Sequence, residues 1–146
     1  MAEGAVQQPS QPGHARVTAA DVMRPALTTV EPNDHVAAAA YLMKHHGATA
    51  LVVVDSEEAR RPQGLITEAD IAHAVADGRN LNEVRIRDLM TTEPTVIPAA
   101  TGVPDAARTM ISGRFRHLPV VGDDGGMIGM VDITDVCAAL LDSTAE

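Results

Sequence analysis

The chain has no tryptophan, one tyrosine (Tyr41), one phenylalanine (Phe115) and one cysteine (Cys137) among its 146 residues. A single cysteine excludes an intrachain disulfide framework and a cysteine-based metal site within one chain. Cys137 falls in a helical apolar pattern and reads as a small core residue. With almost no aromatic rings, Ala, Val, Ile, Leu and Met must fill the core, which suits small helices lying close on sheets. Hydrophobic residues make up 45% of the chain, enough to build one. No apolar run of about 18 residues exists, so no membrane-spanning helix is expected. The N-terminus lacks the basic-then-apolar pattern of a secretory signal, and the expected location is cytoplasmic.

Positive charge is also scarce: Lys and Arg total 11 against 20 Asp and Glu, a net charge of −9. A nucleic-acid binder needs a basic stripe, so nucleic acid is not an expected partner. The acidity serves solubility. It leaves room for a small anionic ligand, because a pocket can be locally basic on an acidic protein. Residues 1–16, rich in Gln, Pro and Gly without periodicity, read as a disordered tail.

From Val17 onward the sequence repeats itself. Asp21-Val22-Met23 returns as Asp88-Leu89-Met90, and Thr29-Val30-Glu31-Pro32 as Thr95-Val96-Ile97-Pro98. Val36, Ala39, Ala40 and Met43 return 67 residues later as Val103, Ala106, Ala107 and Met110. Leu51–Val54 returns as Leu118–Val121, and Gly64-Leu65-Ile66 with Asp70 as Gly129-Met130-Val131 with Asp135. The same order at nearly one period marks duplication of a supersecondary unit. The small changes in spacing fall in turns, where length is cheapest to alter.

Each unit reads as βαββα. A short strand (Thr29–Glu31; Thr95–Ile97) precedes an amphipathic helix, capped by Asn33 or Asp34 in one unit and Thr101 in the other. Gly47 and Gly113 close the helices, and Pro104 fits a first turn. Apolar strands follow (Ala50–Val54; His117–Val121), then turns, second strands (Gly64–Thr67; Met127–Asp132) and last helices (Glu68–Ala76; Ile133–Leu141). The strands are nearly continuous apolar runs, as expected when both faces are covered. One unit cannot cover its own sheet. The expected architecture is therefore a mixed α/β (α+β) domain of two tandem repeats, 17–80 and 84–143. They pack face to face by pseudo-twofold symmetry and leave two equivalent clefts.

Few residues suggest chemistry. The histidines His14, His35, His45, His46, His73 and His117 include no pair at the spacing that places two ligands on one helical face, so no metal site is expected. No nucleophile motif or Gly-rich phosphate loop occurs, and Asp123-Asp124 belongs to a Gly-containing turn. Met23, Met43, Met90, Met110, Met127 and Met130 read as core filler. Thr67-x-x-Asp70 ends a strand and opens a helix. A carboxylate there can accept two hydrogen bonds from a vicinal diol such as a ribose, with the Thr hydroxyl and nearby N–H groups reaching sugar or phosphate oxygens. The same pattern is a helix capping box, and the two readings are compatible. In the second unit Asp132 replaces the threonine while Asp135 is kept.

Gly64-Leu65-Ile66-Thr67-Glu68-Ala69-Asp70 resembles the signature of the CBS family. Arg116-His117-Leu118-Pro119-Val120-Val121 is similar to its basic-Leu-Pro-Val-Val strand, and Asp21–Met23 and Asp88–Met90 fit its usual opening. The resemblance spans Val17 to about Asp142. It implies a paired CBS (Bateman) module, a regulatory binding domain without catalytic activity and with no required cofactor. The implied ligand contains adenosine: AMP, ADP, ATP, NAD or S-adenosylmethionine. The implied contact residues are Thr29, Ala48, Ala50, Thr67, Asp70, Thr95, Arg116, His117, Asp132 and Asp135, with the Asp of each signature holding the ribose and basic groups reaching phosphates. Arg114 is a third basic candidate. A carboxylate at Asp132 disfavours a phosphate beside it, so the cleft nearest Asp132 is expected to reject highly charged ligands, to prefer a nucleoside-like one, or to stay empty. With no effector domain in the chain, the implied partners are a second copy of itself and an unidentified effector protein. The alternative is a ligand-free protein that keeps the fold for dimerisation or interaction.

Overall fold

Strand β3 (Ala50–Val54) is buried at every position, and its alternation divides two cores. Leu51 and Val53 join one beneath the helices, while Val52 and Val54 meet Met127 on the opposite face. Side chains alternate across a strand, so this uninterrupted apolar run serves two layers at once. The computed structural model describes residues 16–25 and 28–145. Residues 1–15 of the expected tail, His14 among them, lie outside the described residues.

The elements in chain order are α1 (Ala19–Val22), β1 (Arg24–Pro25), β2 (Thr29–Val30), α2 (Val36–His46), β3, β4 (Pro62–Thr67) and α3 (Glu68–Ala76). A 3₁₀ turn at Ile86–Asp88 then leads to β5 (Thr91–Thr92), β6 (Ile97–Pro98), α4 (Val103–Gly113), β7 (His117–Val121), β8 (Met127–Asp132) and α5 (Ile133–Ala145). They form two four-stranded sheets, ordered β2-β3-β4-β5 and β1-β8-β7-β6. The sheets meet through Val52, Val54 and Leu65 on one side and Met127 and Met130 on the other. Phe115 and Tyr41 stay outside the cores, which are built from aliphatic residues and methionine, as the composition requires.

The outer strands are exchanged. β1, from the opening of the first repeat, pairs with β8 of the second, and β5, from the opening of the second, pairs with β4 of the first. Ala19 is fully buried in the second repeat's core, and Ile86 in the first's. The signature glycines follow from this crossing. A side chain at Gly64 would meet the Met90 sulfur at 2.6 Å and the Thr91 carbonyl at 2.9 Å; one at Gly129 would meet the Met23 sulfur, and the Arg24 carbonyl at 2.9 Å.

Helix caps follow the same exchange and correct the sequence reading. The N-caps are His35 and Gly102, and neither makes a side-chain capping bond. Backbone carbonyls from the other repeat's opening do that work: the Val36 N–H donates to Val84 O at 2.9 Å, and the Val103 N–H to Val17 O at 3.0 Å. Asp34 instead accepts from the Glu31 N–H. Gly47 closes α2 in the left-handed conformation, as expected, but α4 closes at Arg114 with φ 58°. Gly113 is needed for another reason: the Phe115 ring lies where its side chain would be. The short strand of the second unit is Ile97–Pro98 rather than Thr95–Ile97, because it is Ile97 that pairs with Val120. Cys137 is exposed, not core: on α5 Val136 is the buried position, and the next residue turns outward.

The exchanged strands leave no room at the glycines. Gly64→Ala and Gly129→Ala are each expected to lower unfolding free energy by about 1–3 kcal/mol, the usual cost of overpacking. Urea unfolding measures this; a loss near zero would show that the edge strands yield.

Candidate functional site

Each β-strand-to-helix junction of the signature forms a reciprocal cap. The Thr67 N–H donates to Asp70 Oδ2 at 2.8 Å, and the Asp70 N–H to Thr67 Oγ1 at 3.2 Å. In the second repeat the Asp132 N–H donates to Asp135 Oδ2 at 3.2 Å, and the Asp135 N–H to Asp132 Oδ1 at 2.9 Å. Asp caps as well as Thr does, so the substitution leaves the fold intact. Among the described residues nothing pairs with Oδ1 of Asp70.

The second junction has a charged partner that the first lacks. Arg24, on exchanged strand β1, places Nε 3.4 Å from Asp135 Oδ2 and Nη2 3.4 Å from Asp135 Oδ1. Its Nη2 also lies 3.8 Å from Asp132 Oδ2. The hydrogen bond to Asp135, then the charges of Asp135 and Asp132, push the guanidinium pKa still higher.

Two cavities open between the repeats. The larger, of about 790 Å³, takes Thr67, Glu68 and Ala69 from the first junction, Thr91 and Thr95 from the exchanged segment and its continuation, and Arg114–His117 and Asp132–Thr134 from the second repeat. Three basic side chains, Arg114, Arg116 and His117, thus face two acidic ones, Glu68 and Asp132, on a protein of strongly negative net charge. The smaller cavity, of about 390 Å³, is walled by Arg24, Thr28, the Gly47–Ala50 turn, Met127, Met130, Asp132 and His117. Thr49, His117 and Asp132 belong to both walls. His117 Nε2 lies 2.8 Å from Thr49 Oγ1, which makes that pair part of the partition. Burial of the imidazole lowers the His117 pKa below its ordinary value of 6.5; nearby Asp132 opposes this and Arg116 adds to it.

Of the residues expected to share a site, Thr67, Thr95, Arg116, His117 and Asp132 line the larger cavity, and Ala48, Ala50, His117 and Asp132 the smaller. Arg116 is on the larger wall only. Asp70 and Asp135 line neither; each sits one helical turn behind its cap. Thr29 is also absent from both walls, being held in β2 opposite Val52, and its neighbour Thr28 lines the smaller cavity instead. Arg24, Thr28, Thr49 and Thr91 were not singled out by the sequence. The internal repeat holds the signal for three of them: a shift of 67 residues takes Arg24 to Thr91 and Thr49 to Arg116.

The family model described as "CBS domain" matches the chain twice, over residues 19–77 and 86–142. An uncharacterised 17.7 kDa protein of Acidianus ambivalens is 40% identical over 113 residues, 77% of this chain and 66% of that protein. A protein of Methanopyrus kandleri, also uncharacterised, is 32% identical over 82% of this chain and 61% of its own length. The chain thus spans somewhat under two thirds of these two relatives. Among solved structures, a signal-transduction protein with CBS domains from Burkholderia ambifaria is 31% identical, with a TM-score of 0.76 over 86% of this chain and 95% of that one. CBSX2, solved in complex with AMP, is 31% identical, with a TM-score of 0.73 over 87% of this chain and 98% of that one. Among the described residues no helix is long and apolar enough to cross a membrane.

The depressed His117 pKa has a sign. An imidazole harder to protonate when folded stabilises the native state above its unfolded pKa of about 6.5, and that contribution is lost as pH falls. Thermal unfolding from pH 8 to pH 5 is expected to show stability falling below about pH 6.5, with a shallower fall in His117→Gln. Equal slopes in the two proteins would remove His117 as the source.

Proposed function

Because the chain belongs to the CBS-domain family, we propose that it is a regulatory binding module whose larger cavity takes an adenosine-containing ligand bearing phosphate. CBS pairs are regulatory ligand-binding modules, and the related CBSX2 binds AMP. The observation that carries the reading is the composition of the 790 Å³ cavity: Thr67, Thr91 and Thr95 line it together with Arg114, Arg116 and the half-buried His117. Its volume is that of a typical small-molecule site, about 300–1,000 Å³. Phosphate oxygens suit the basic group. In this reading Oδ1 of Asp70, unpaired among the described residues and one helical turn behind Thr67 of the cavity wall, is the acceptor for a ribose diol. The module has no catalytic task in this reading; occupancy of the cleft is the signal passed to an effector protein.

The same module is proposed to work as a homodimer in the cytoplasm. Tyr41 on α2 and Val75 on α3 are 64% and 58% exposed, and Ile111 on α4 and Leu141 on α5 are 75% and 69% exposed. Each helix pair thus presents apolar side chains to solvent, the kind of surface a second copy would cover. Sedimentation is expected to give a dimer at micromolar concentration, and Tyr41→Glu with Ile111→Glu a monomer. A monomeric wild type at high micromolar concentration would contradict it.

A thermal-shift panel of AMP, ADP, ATP, NAD and S-adenosylmethionine tests the ligand class. A true ligand at ~100 times its Kd adds about 2.7 kcal/mol of stability. Asp70→Asn keeps one acceptor for the Thr67 cap and removes the second oxygen. It is expected to weaken binding by about 1.5–3 kcal/mol, the range for a hydrogen bond to a charged group, with unfolding nearly unchanged. A flat panel would leave the pair as a ligand-free dimerisation scaffold.

A further inference from the structure

The two cavities stand at equivalent places in a duplicated fold, yet their chemistry diverges: Gly47 and Thr49 of the smaller match Arg114 and Arg116 of the larger, and two further matched positions change charge at the strand-to-helix junction. The first junction, on the larger cavity, carries Thr67 and Thr91; the second carries Asp132, which reaches both walls, and Arg24, which lines the smaller alone. One substitution adds a negative charge and the other a positive one, and the two side chains face each other. The register explains the reach. Arg24 pairs with Met130 across β1 and β8, so Asp132, two residues further along, projects on the same face beside it. From there the guanidinium also spans both oxygens of Asp135. Asp70, the equivalent carboxylate of the first repeat, has an oxygen without a partner among the described residues.

We propose that Arg24 is a specificity-determining residue of the smaller cavity: it occupies the Asp132 and Asp135 carboxylates from within the chain and so keeps that cavity from taking a ribose. This rests on the adenosine-ligand reading of the module. A vicinal diol donates two hydrogen bonds, and at Asp135 the guanidinium and the Asp132 N–H already take three of about four acceptor positions. The Arg24 side chain is 66% exposed, so the pair is a bias and not a lock, worth several-fold to about tenfold in competition with a ligand. The two charges are interdependent. Without Arg24, two unpaired carboxylates repel a phosphate-bearing ligand. Without Asp132 alone, Arg24 still holds Asp135. Only removing both restores the threonine pair of the larger cavity.

Titration calorimetry with AMP and with adenosine, on wild type, Arg24→Thr, Asp132→Thr and the double variant, tests this as a cycle. Wild type and Asp132→Thr are expected to bind one equivalent per chain of either ligand, and Arg24→Thr to gain a second equivalent of adenosine but not of AMP; no gain of adenosine in Arg24→Thr would overturn the proposal. The double variant is expected to bind two equivalents of adenosine, with AMP weaker at the second because Thr49 stands where the larger cavity has Arg116. A second equivalent gained by Asp132→Thr alone would overturn the proposal. So would a second site in the wild type that Arg24→Thr abolishes, since Arg24 would then be a ligand for the nucleotide. A ligand-free measurement separates this inference from the reading beneath it: the Arg24 Nε–H resonance is expected at a shifted, slowly exchanging position that moves in Asp132→Thr. A resonance at the free-arginine position overturns the proposal whatever AMP does. If no form binds AMP or adenosine while the resonance is shifted, the adenosine reading fails and Arg24 stands as the resident partner of both carboxylates.

Discussion

The backbone hydrogen bonds that carry Arg24–Pro25 onto β8, and Thr91–Thr92 onto β4, hold the two repeats in one register. Without them β4 and β8 would be open sheet edges, which proteins seldom leave unprotected. The same crossing brings Val84 O and Val17 O to the starts of α2 and α4, so exchanged segments also satisfy helix N–H groups that no side chain caps. Met90 and Met23 settle over Gly64 and Gly129 because these strands approach so closely. Both cavities inherit their walls from this arrangement. Thr91 enters one and Arg24 the other, each supplied by the repeat that does not own the strand beside it.

A duplicated scaffold offers two like sites, and small changes at matched positions make them unlike. Thr67 against Asp132 and Thr91 against Arg24 change charge without disturbing structure, because the cap tolerates either residue and the exchanged strand pairs through its backbone. The partition is made from equally small material, a threonine and a histidine in hydrogen-bond contact. Burial disfavours the charged form of His117, so the basic character of the larger cavity rests mainly on Arg114 and Arg116.

Much of this was legible in the sequence for reasons of range. β3 and β7 fall where expected because a strand buried on both faces must be continuously apolar, and β8 because its run Met127–Val131 is uninterrupted although Ile128 faces solvent. The caps at Thr67–Asp70 and Asp132–Asp135 span three residues and show in any local reading. What was not legible depends on distant partners. β1 and β5 are two residues long and have no period; only the sheet edge across the molecule makes them strands. The N-caps were misplaced because the groups that satisfy α2 and α4 arrive from other parts of the chain. The ion pair of Arg24 with Asp135 joins residues 111 apart in sequence. Thr28 lies one residue before β2 and Thr29 begins it, and that single step separates a cavity wall from a paired strand position. Cys137 and Val136 differ by one step on a helix, with the same effect.

The exchanged strands also bear on how such a chain could arise. A single repeat would lack its fourth strand, and the carbonyl that starts its main helix would be missing. Two separate copies could supply each other, but only by meeting, at a cost set by their concentration. Joining them converts that encounter into an intramolecular one, at an effective concentration that for short linkers is on the order of millimolar. The smallest piece able to fold by itself is therefore the pair, and separating it near residue 80 would yield two halves that must find each other again.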